Sequence, residues 1–122
     1  MSRDLVRVDE DTTIEDAAVH MSERRVGSAL VFDGERLIGI LTERDVLRVV
    51  GARALAGARV SDWMTRHPET VGAEETIEQA GVLMLHGGFR HLPVVEGNDV
   101  VGIVSIRDLI RDALHDAAPR GA

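Results

Sequence analysis

Two short stretches of this chain combine a hydroxyl, a guanidinium and a carboxylate at the same spacing. Thr42-Glu43-Arg44-Asp45 and Ser105-Ile106-Arg107-Asp108 each place a hydroxyl three residues before an acid, with an arginine between them. At the start of a helix this spacing has two uses. The first is a capping box, in which hydroxyl and carboxylate satisfy backbone amides that the first turn leaves without partners. The second is recognition of a sugar phosphate. A helix N-terminus presents amides and partial positive charge to a phosphate oxygen. The hydroxyl adds a hydrogen bond, and the carboxylate can accept from both hydroxyls of a vicinal ribose diol. Gly39 and Gly102, three residues ahead of the hydroxyls, leave room for a ring or a backbone to approach closely. Arg44 and Arg107 offset ligand charge. A capping box accounts for the hydroxyl and the acid; a ribonucleotide accounts for the glycine and arginine as well.

For either use, a strand must end and a helix begin at Thr42 and again at Ser105, and the sequence supplies both elements twice. Gly39-Ile40-Leu41-Thr42-Glu43-Arg44-Asp45 returns as Gly102-Ile103-Val104-Ser105-Ile106-Arg107-Asp108, 63 residues on. The same offset carries Ile14 to Ile77, Ala17 to Ala80, Met21 to Met84, Val31 to Val94 and Gly34 to Gly97. No gap is needed between Met1 and Ile110, so the chain reads as two copies of one supersecondary unit. In copy one, Leu5–Val8 reads as a strand. Ile14, Ala17, Ala18 and Met21 form one face of a helix over Thr13–Arg25. Ser28–Phe32 and Leu37–Leu41 read as a hairpin about Asp33-Gly34, and a helix runs from Thr42 to about Val50. Gly51–Arg59 is the joint, and Val60–Thr65 is a helical turn into copy two. There the order repeats: strand at Thr70-Val71, helix Thr76–His86, hairpin His91–Val104 about Gly97-Asn98, and helix Ser105 to about Asp116. The expected fold class is α+β, with β-α-β-β-α repeats over residues 1–58 and 59–116 and a frayed tail over 117–122. Because Met64 stands one offset after Met1, the first repeat starts without the helical turn that opens the second. Each half alone buries little apolar surface, so the halves are expected to pack on each other.

These motifs resemble the cystathionine-β-synthase (CBS) domain, and the tandem arrangement resembles a CBS pair, or Bateman module. The residues that carry the likeness are the two Gly-x-x-Thr/Ser-x-x-Asp stretches, the strand Arg90-His91-Leu92-Pro93-Val94-Val95, and Asp62-x-Met64-Thr65. The likeness covers Met1 to about Leu114. It implies two repeats packed through their sheets about a pseudo-twofold axis, with two clefts that hold adenosine-bearing ligands. One cleft would use Ile40, Thr42, Arg44 and Asp45 with Thr70, Val71, Arg90 and His91. The other would use Ile103, Ser105, Arg107 and Asp108 with Arg7, Val8, Gly27 and Ser28. The acids would hold ribose, the hydroxyls phosphate, and the strands would sandwich adenine. Arg90 and His91 make the Asp45 cleft the more cationic of the two and so the better suited to a phosphorylated ligand. Leu30 stands where copy two has Pro93, which sets the Asp108 cleft further from the family pattern. The implied ligand is AMP, ADP, ATP or a related adenosyl compound, with no cofactor required. A homodimer through the helices and a separate effector protein are implied as well.

Composition narrows the alternatives. A chain of 122 residues, 44% apolar, is one domain's worth of soluble globular sequence. It holds no cysteine and no lysine, which removes thiol nucleophiles, disulfides, cysteine-based zinc sites, Schiff bases and P-loops. A net charge of −7 argues against a nucleic-acid binder, whose footprint is basic. No apolar run is long enough to span a membrane, and no secretory leader is evident, so the expected compartment is the cytoplasm. His20, His67, His86, His91 and His115 show no metal-ligand spacing; His20 and His86 are expected on exposed helix faces. Met21 and Met84 read as core fillers. Trp63 is expected at the joint between copies or in a dimer contact. No nucleophile elbow or paired-carboxylate signal supports an enzyme. The reading that competes with a nucleotide sensor is a structural interaction module with empty clefts, its Thr42/Asp45 and Ser105/Asp108 pairs acting as caps alone.

Overall fold

Gly34 and Gly97 take positive φ of 61° and 63°, the left-handed conformation that a tight two-residue hairpin loop requires. Around the first, β2 (Ser28–Asp33) and β3 (Arg36–Thr42) pair antiparallel, with Ser28 opposite Thr42 and Asp33 opposite Arg36. Around the second, β6 (His91–Glu96) and β7 (Asp99–Ser105) pair in the same way, with His91 opposite Ser105. Each hairpin carries one register shift, between Val31 and Phe32 and between Val94 and Val95. The duplication is thus preserved down to single irregularities.

The computed structural model describes residues 2–117, with side chains described as far as Leu114. The last five residues of the expected tail and the side chain of His115 lie outside the described residues. In chain order the elements are β1 (Arg7–Val8), α1 (Ile14–Arg24), β2, β3, α2 (Glu43–Gly51), α3 (Val60–Trp63), β4 (Thr65–Arg66), β5 (Val71–Gly72), α4 (Ile77–Gly87), β6, β7 and α5 (Ile106–Ala117). The first sheet has the order β1-β2-β3-β4 and the second β5-β6-β7. β1 runs parallel to β2, and β5 parallel to β6, so α1 and α4 are crossover connections. The chain is of the α+β class. Among the described residues, no helix is long and apolar enough to cross a membrane.

The chain divides into two compact units, Asp4–Pro68 and Glu69 onward, the latter including Ser2 and Arg3. α3 and β4 open the second repeat in sequence but belong to the first unit in space. β4 pairs with β3 through Gly39 opposite Arg66 and Ile40 opposite Thr65, and Val60 of α3 is fully buried in the first unit's core. The converse holds in the second unit, where Ser2 bridges Ile103 through backbone hydrogen bonds of 2.8 and 2.9 Å. Ser2 and Thr65 are 63 residues apart, as are Ile40 and Ile103. Each sheet therefore gains its last edge partner from the segment that precedes the other repeat.

The first unit buries the helix stripe foreseen from periodicity, and the second buries it in part, since Ile77 is exposed. In the first, Ile14, Ala17 and Met21 pack with Val31, Leu41, Val49 and Val60. In the second, Ala80 and Met84 pack with Val71, Leu92, Val94 and Val104. Thr13 and Thr76 cap α1 and α4, each accepting from the amide three residues on, at 3.1 and 3.2 Å. The far ends of these helices differ. α4 ends on Gly88 at φ 72°, whereas α1 ends on Arg25 at φ 56°, one offset earlier. A side chain at left-handed φ is strained where glycine is not. Arg25→Gly is therefore expected to stabilise the protein by about 0.5–1 kcal/mol, after allowing for glycine's greater freedom in the unfolded chain. Urea denaturation of the variant beside the parent measures this.

Candidate ligand-binding site

The N-terminus of α2 is built by side chains three residues apart. Thr42 holds the extended conformation of β3, and its Oγ1 accepts from the Asp45 amide at 3.3 Å. Asp45 Oδ2 accepts in turn from the Thr42 amide at 2.9 Å and the Thr42 hydroxyl at 3.1 Å. Its Oδ1 accepts from Arg48 Nη1 at 3.1 Å, and the residue as a whole is only 7% exposed. α5 repeats the box: Asp108 Oδ2 accepts from the Ser105 amide at 2.8 Å, and Ser105 Oγ from the Asp108 amide at 3.2 Å. Asp108 is half-buried, and its Oδ1 has no hydrogen-bond partner among the described residues.

Both uses of the hydroxyl–acid spacing are thereby compatible. A carboxylate has about four acceptor positions on two oxygens, and the cap takes only one oxygen. At Asp108 the second oxygen remains for another donor. At Asp45 it is held by an arginine whose side chain is 59% exposed.

The next amide of each helix is also fixed. Glu43 N–H donates to the Gly27 carbonyl, and Ile106 N–H to the Arg90 carbonyl, both at 2.9 Å. These bonds tie the start of each hairpin to the helix of its own repeat. The first unit therefore gathers Gly27, Ser28, Ile40, Thr42, Arg44 and Asp45. The second gathers Arg90, His91, Ile103, Ser105, Arg107 and Asp108. Ser28, Ile40 and Ile103 are buried, His91 is half-buried, and Arg44, Arg90 and Arg107 are exposed. Val8 pairs with Val31 and Val71 with Val94, and Thr70 is half-buried just ahead of β5. The Arg7 guanidinium lies 4.5 Å from the centre of the Phe32 ring. Arg7 and Val8 also line an open groove of about 380 Å³ with Asp9, Thr12, His20, Phe32 and Gly34.

Gly39 does make room, and its own chain fills it. A Cβ at this position would meet Met64 Sδ at 2.5 Å and the Thr65 carbonyl at 3.1 Å. The close approach is that of β4, the backbone alternative rather than a ligand ring. Sequence reasoning missed Arg48, although an arginine three residues after Asp45 on a helix is a legible pairing signal. Trp63 is half-buried against the first unit's core, with the Arg48 guanidinium 5.5 Å from its ring centre. His20 and His86 are exposed on α1 and α4. Among the described residues, no cluster of three or more His, Asp or Glu could hold a metal ion.

Comparison with known proteins places this geometry. The CBS domain family model matches the chain twice, over residues 1–52 and 60–115. An uncharacterized 17.7 kDa protein of Acidianus ambivalens is 40% identical over 106 residues, which is 85% of this chain and 64% of that relative. The chain thus spans under two thirds of that relative's length. A solved structure of a protein with CBS domains from Burkholderia ambifaria superposes with a TM-score of 0.87 at 32% identity, covering 99% of this chain and 90% of that one. A CBS domain protein from Pyrobaculum aerophilum, solved in complex with AMP, has a TM-score of 0.83 at 30% identity and covers 95% of this chain and 92% of that one. With both repeats matched and each reproducing the same strand–hairpin–capped-helix unit, the chain belongs to the CBS-domain family as a tandem pair.

Proposed function

We propose that this chain is a regulatory module that senses an adenine nucleotide (AMP, ADP or ATP) or a related adenosyl compound, without chemical turnover. The observation that carries the reading is the doubled helix N-terminus, where a capping carboxylate sits beside a hydroxyl and keeps a second oxygen beyond the one the cap uses. The AMP complex of the Pyrobaculum relative supports the ligand class. In this proposal Thr42, Arg44 and Asp45 act with Ile40 and with Thr70, Val71, Arg90 and His91. Ser105, Arg107 and Asp108 act with Ile103 and with Arg7, Val8, Gly27 and Ser28. Asp accepts from the ribose diol, Thr or Ser and the helix end hold phosphate, and the strands hold adenine.

Signalling follows from differential binding, since a ligand shifts an equilibrium only as far as it prefers one state. A homodimer through the helices is the proposed carrier of that shift, passing it to a separate effector protein. Supporting it, Leu47 on α2 is 70% exposed and Ile110, one offset later on α5, is 55% exposed. Val19 and Val82 on α1 and α4 are 49% and 56% exposed.

A second reading, an interaction module with no nucleotide, draws on the fact that both capping boxes are closed by the chain's own atoms. Thermal melting with AMP, ADP, ATP, NAD and S-adenosylmethionine separates the two. A bound ligand at one hundred times its Kd is expected to add about 2.7 kcal/mol of stability. No shift with any of the five favours the interaction module. Conversion of a ligand during incubation, seen by chromatography, would contradict both readings and point to an enzyme.

A further inference from the structure

We propose that Arg48 is a latch on the Asp45 site, occupying the carboxylate oxygen that a ribose diol would use and leaving it only when a nucleotide enters. This rests on the adenylate reading above and goes beyond it, because it makes the two sites unequal. The chemistry is confined to one carboxylate. Asp45 Oδ2 is committed to the Thr42 amide and hydroxyl, so Oδ1 is the oxygen left for a ligand. Arg48 Nη1 stands on it at 3.1 Å.

Two features make the contact a latch rather than a fixed brace. The Asp45 side chain is 10% exposed and the Arg48 side chain 59%. The acid is therefore held by the fold, while the guanidinium reaches water and can turn into it once a ligand hydroxyl replaces it on the buried oxygen. The pair is open to water on the arginine side alone, so the guanidinium can be resolvated as a ligand hydroxyl takes its place on the acid. The second feature is Trp63. The guanidinium lies 5.5 Å from its ring centre, within range of a cation–π attraction, so it has a defined resting place on both sides.

The second repeat lacks this arrangement. Arg111 stands one offset after Arg48, yet no hydrogen bond joins it to Asp108 among the described residues. The chain has a single Trp, so no second indole backs that arginine. The Asp108 site is the open one and the Asp45 site the restrained one.

The test uses AMP, the full chain and two backgrounds. With Asp108→Ala to silence the open site, isothermal titration reads the Asp45 site alone. Adding Arg48→Gln is expected to tighten AMP binding about 3- to 10-fold, the worth of one half-buried ion pair and its cation–π contact. Trp63 emission, assignable because it is the only Trp, is expected to change as AMP fills the Asp45 site in the parent. That change should shrink in Arg48→Gln. If Arg48→Gln weakens AMP binding, the arginine is a phosphate ligand and the latch is wrong; unchanged affinity also overturns it. If AMP binds neither the parent nor any variant, the adenylate reading itself falls, and the latch with it.

Discussion

Asp108→Ala is expected to weaken AMP binding by about 2–4 kcal/mol, roughly 30- to 900-fold, while removing only about 1 kcal/mol from the fold. The two effects arise at different oxygens. Oδ2 accepts from the Ser105 amide at 2.8 Å, and its loss leaves one amide at the end of a half-buried helix turn to be satisfied by water. Oδ1 has no partner among the described residues and is available to a vicinal diol. Loss of hydrogen bonds to a charged acceptor accounts for the larger figure, since each contributes about 1.5–3 kcal/mol. Isothermal titration and urea denaturation of the same preparation measure both. Stability that falls while affinity stays would show that the carboxylate is a cap and nothing more. Asp108 is the better test than Asp45, because Asp45 is more deeply buried and accepts from Thr42 and Arg48 together. Its removal would disturb the helix and the site at once.

What the sequence disclosed and what it withheld follow from the range of each interaction. Hairpins about Gly34 and Gly97 and helices capped at Thr13, Thr42, Thr76 and Ser105 are set by residues within a few positions of one another, and the 63-residue offset showed each of them twice. The cap geometry at Asp45 and Asp108 was legible for the same reason. Edge pairing was not. Nothing local in Thr65-Arg66 says that it joins β3, or that Ser2 takes the equivalent place on Ile103. Such pairings form between segments far apart in sequence, where a two-residue strand carries no periodicity. Gly39 illustrates the consequence: its spacing suggested room for a ring or a backbone without saying which, and the room is used by Met64 and Thr65. Arg48 lay between these cases. Its pairing with Asp45 is local, but its place over Trp63 depends on where α3 packs. The crosswise grouping of each acid with the other repeat's strands came from the family likeness alone, since spacing within one copy cannot show which partner strands face it.

The fold's own departure from symmetry gives the second large effect. Ile14→Ala is expected to cost about 3–4 kcal/mol and Ile77→Ala about 1 kcal/mol or less, although the two residues are equivalent in the repeat. Ile14 is 0% exposed and Ile77 is 37% exposed. The cause is the joint between copies. Ile14 N–H donates to the Ala58 carbonyl at 2.8 Å, Thr13 bridges Arg59, and Val60 N–H donates to the Thr12 carbonyl at 2.8 Å. Arg59 Nη1 adds a bond to the Asp11 carbonyl at 2.8 Å. The end of the joint is thereby laid across the start of α1, placing Ala58 and Val60 in the same core as Ile14. No described segment does this for α4. Truncating Ile14 would leave a cavity among residues fixed on every side, and a cavity that cannot collapse carries the full cost. Truncating Ile77 removes a side chain that water already reaches. Urea denaturation of the two variants measures the difference directly. Equal losses would mean that the joint does not cover α1 in solution, and the first repeat would then have no greater claim than the second to a rigid helix behind its site.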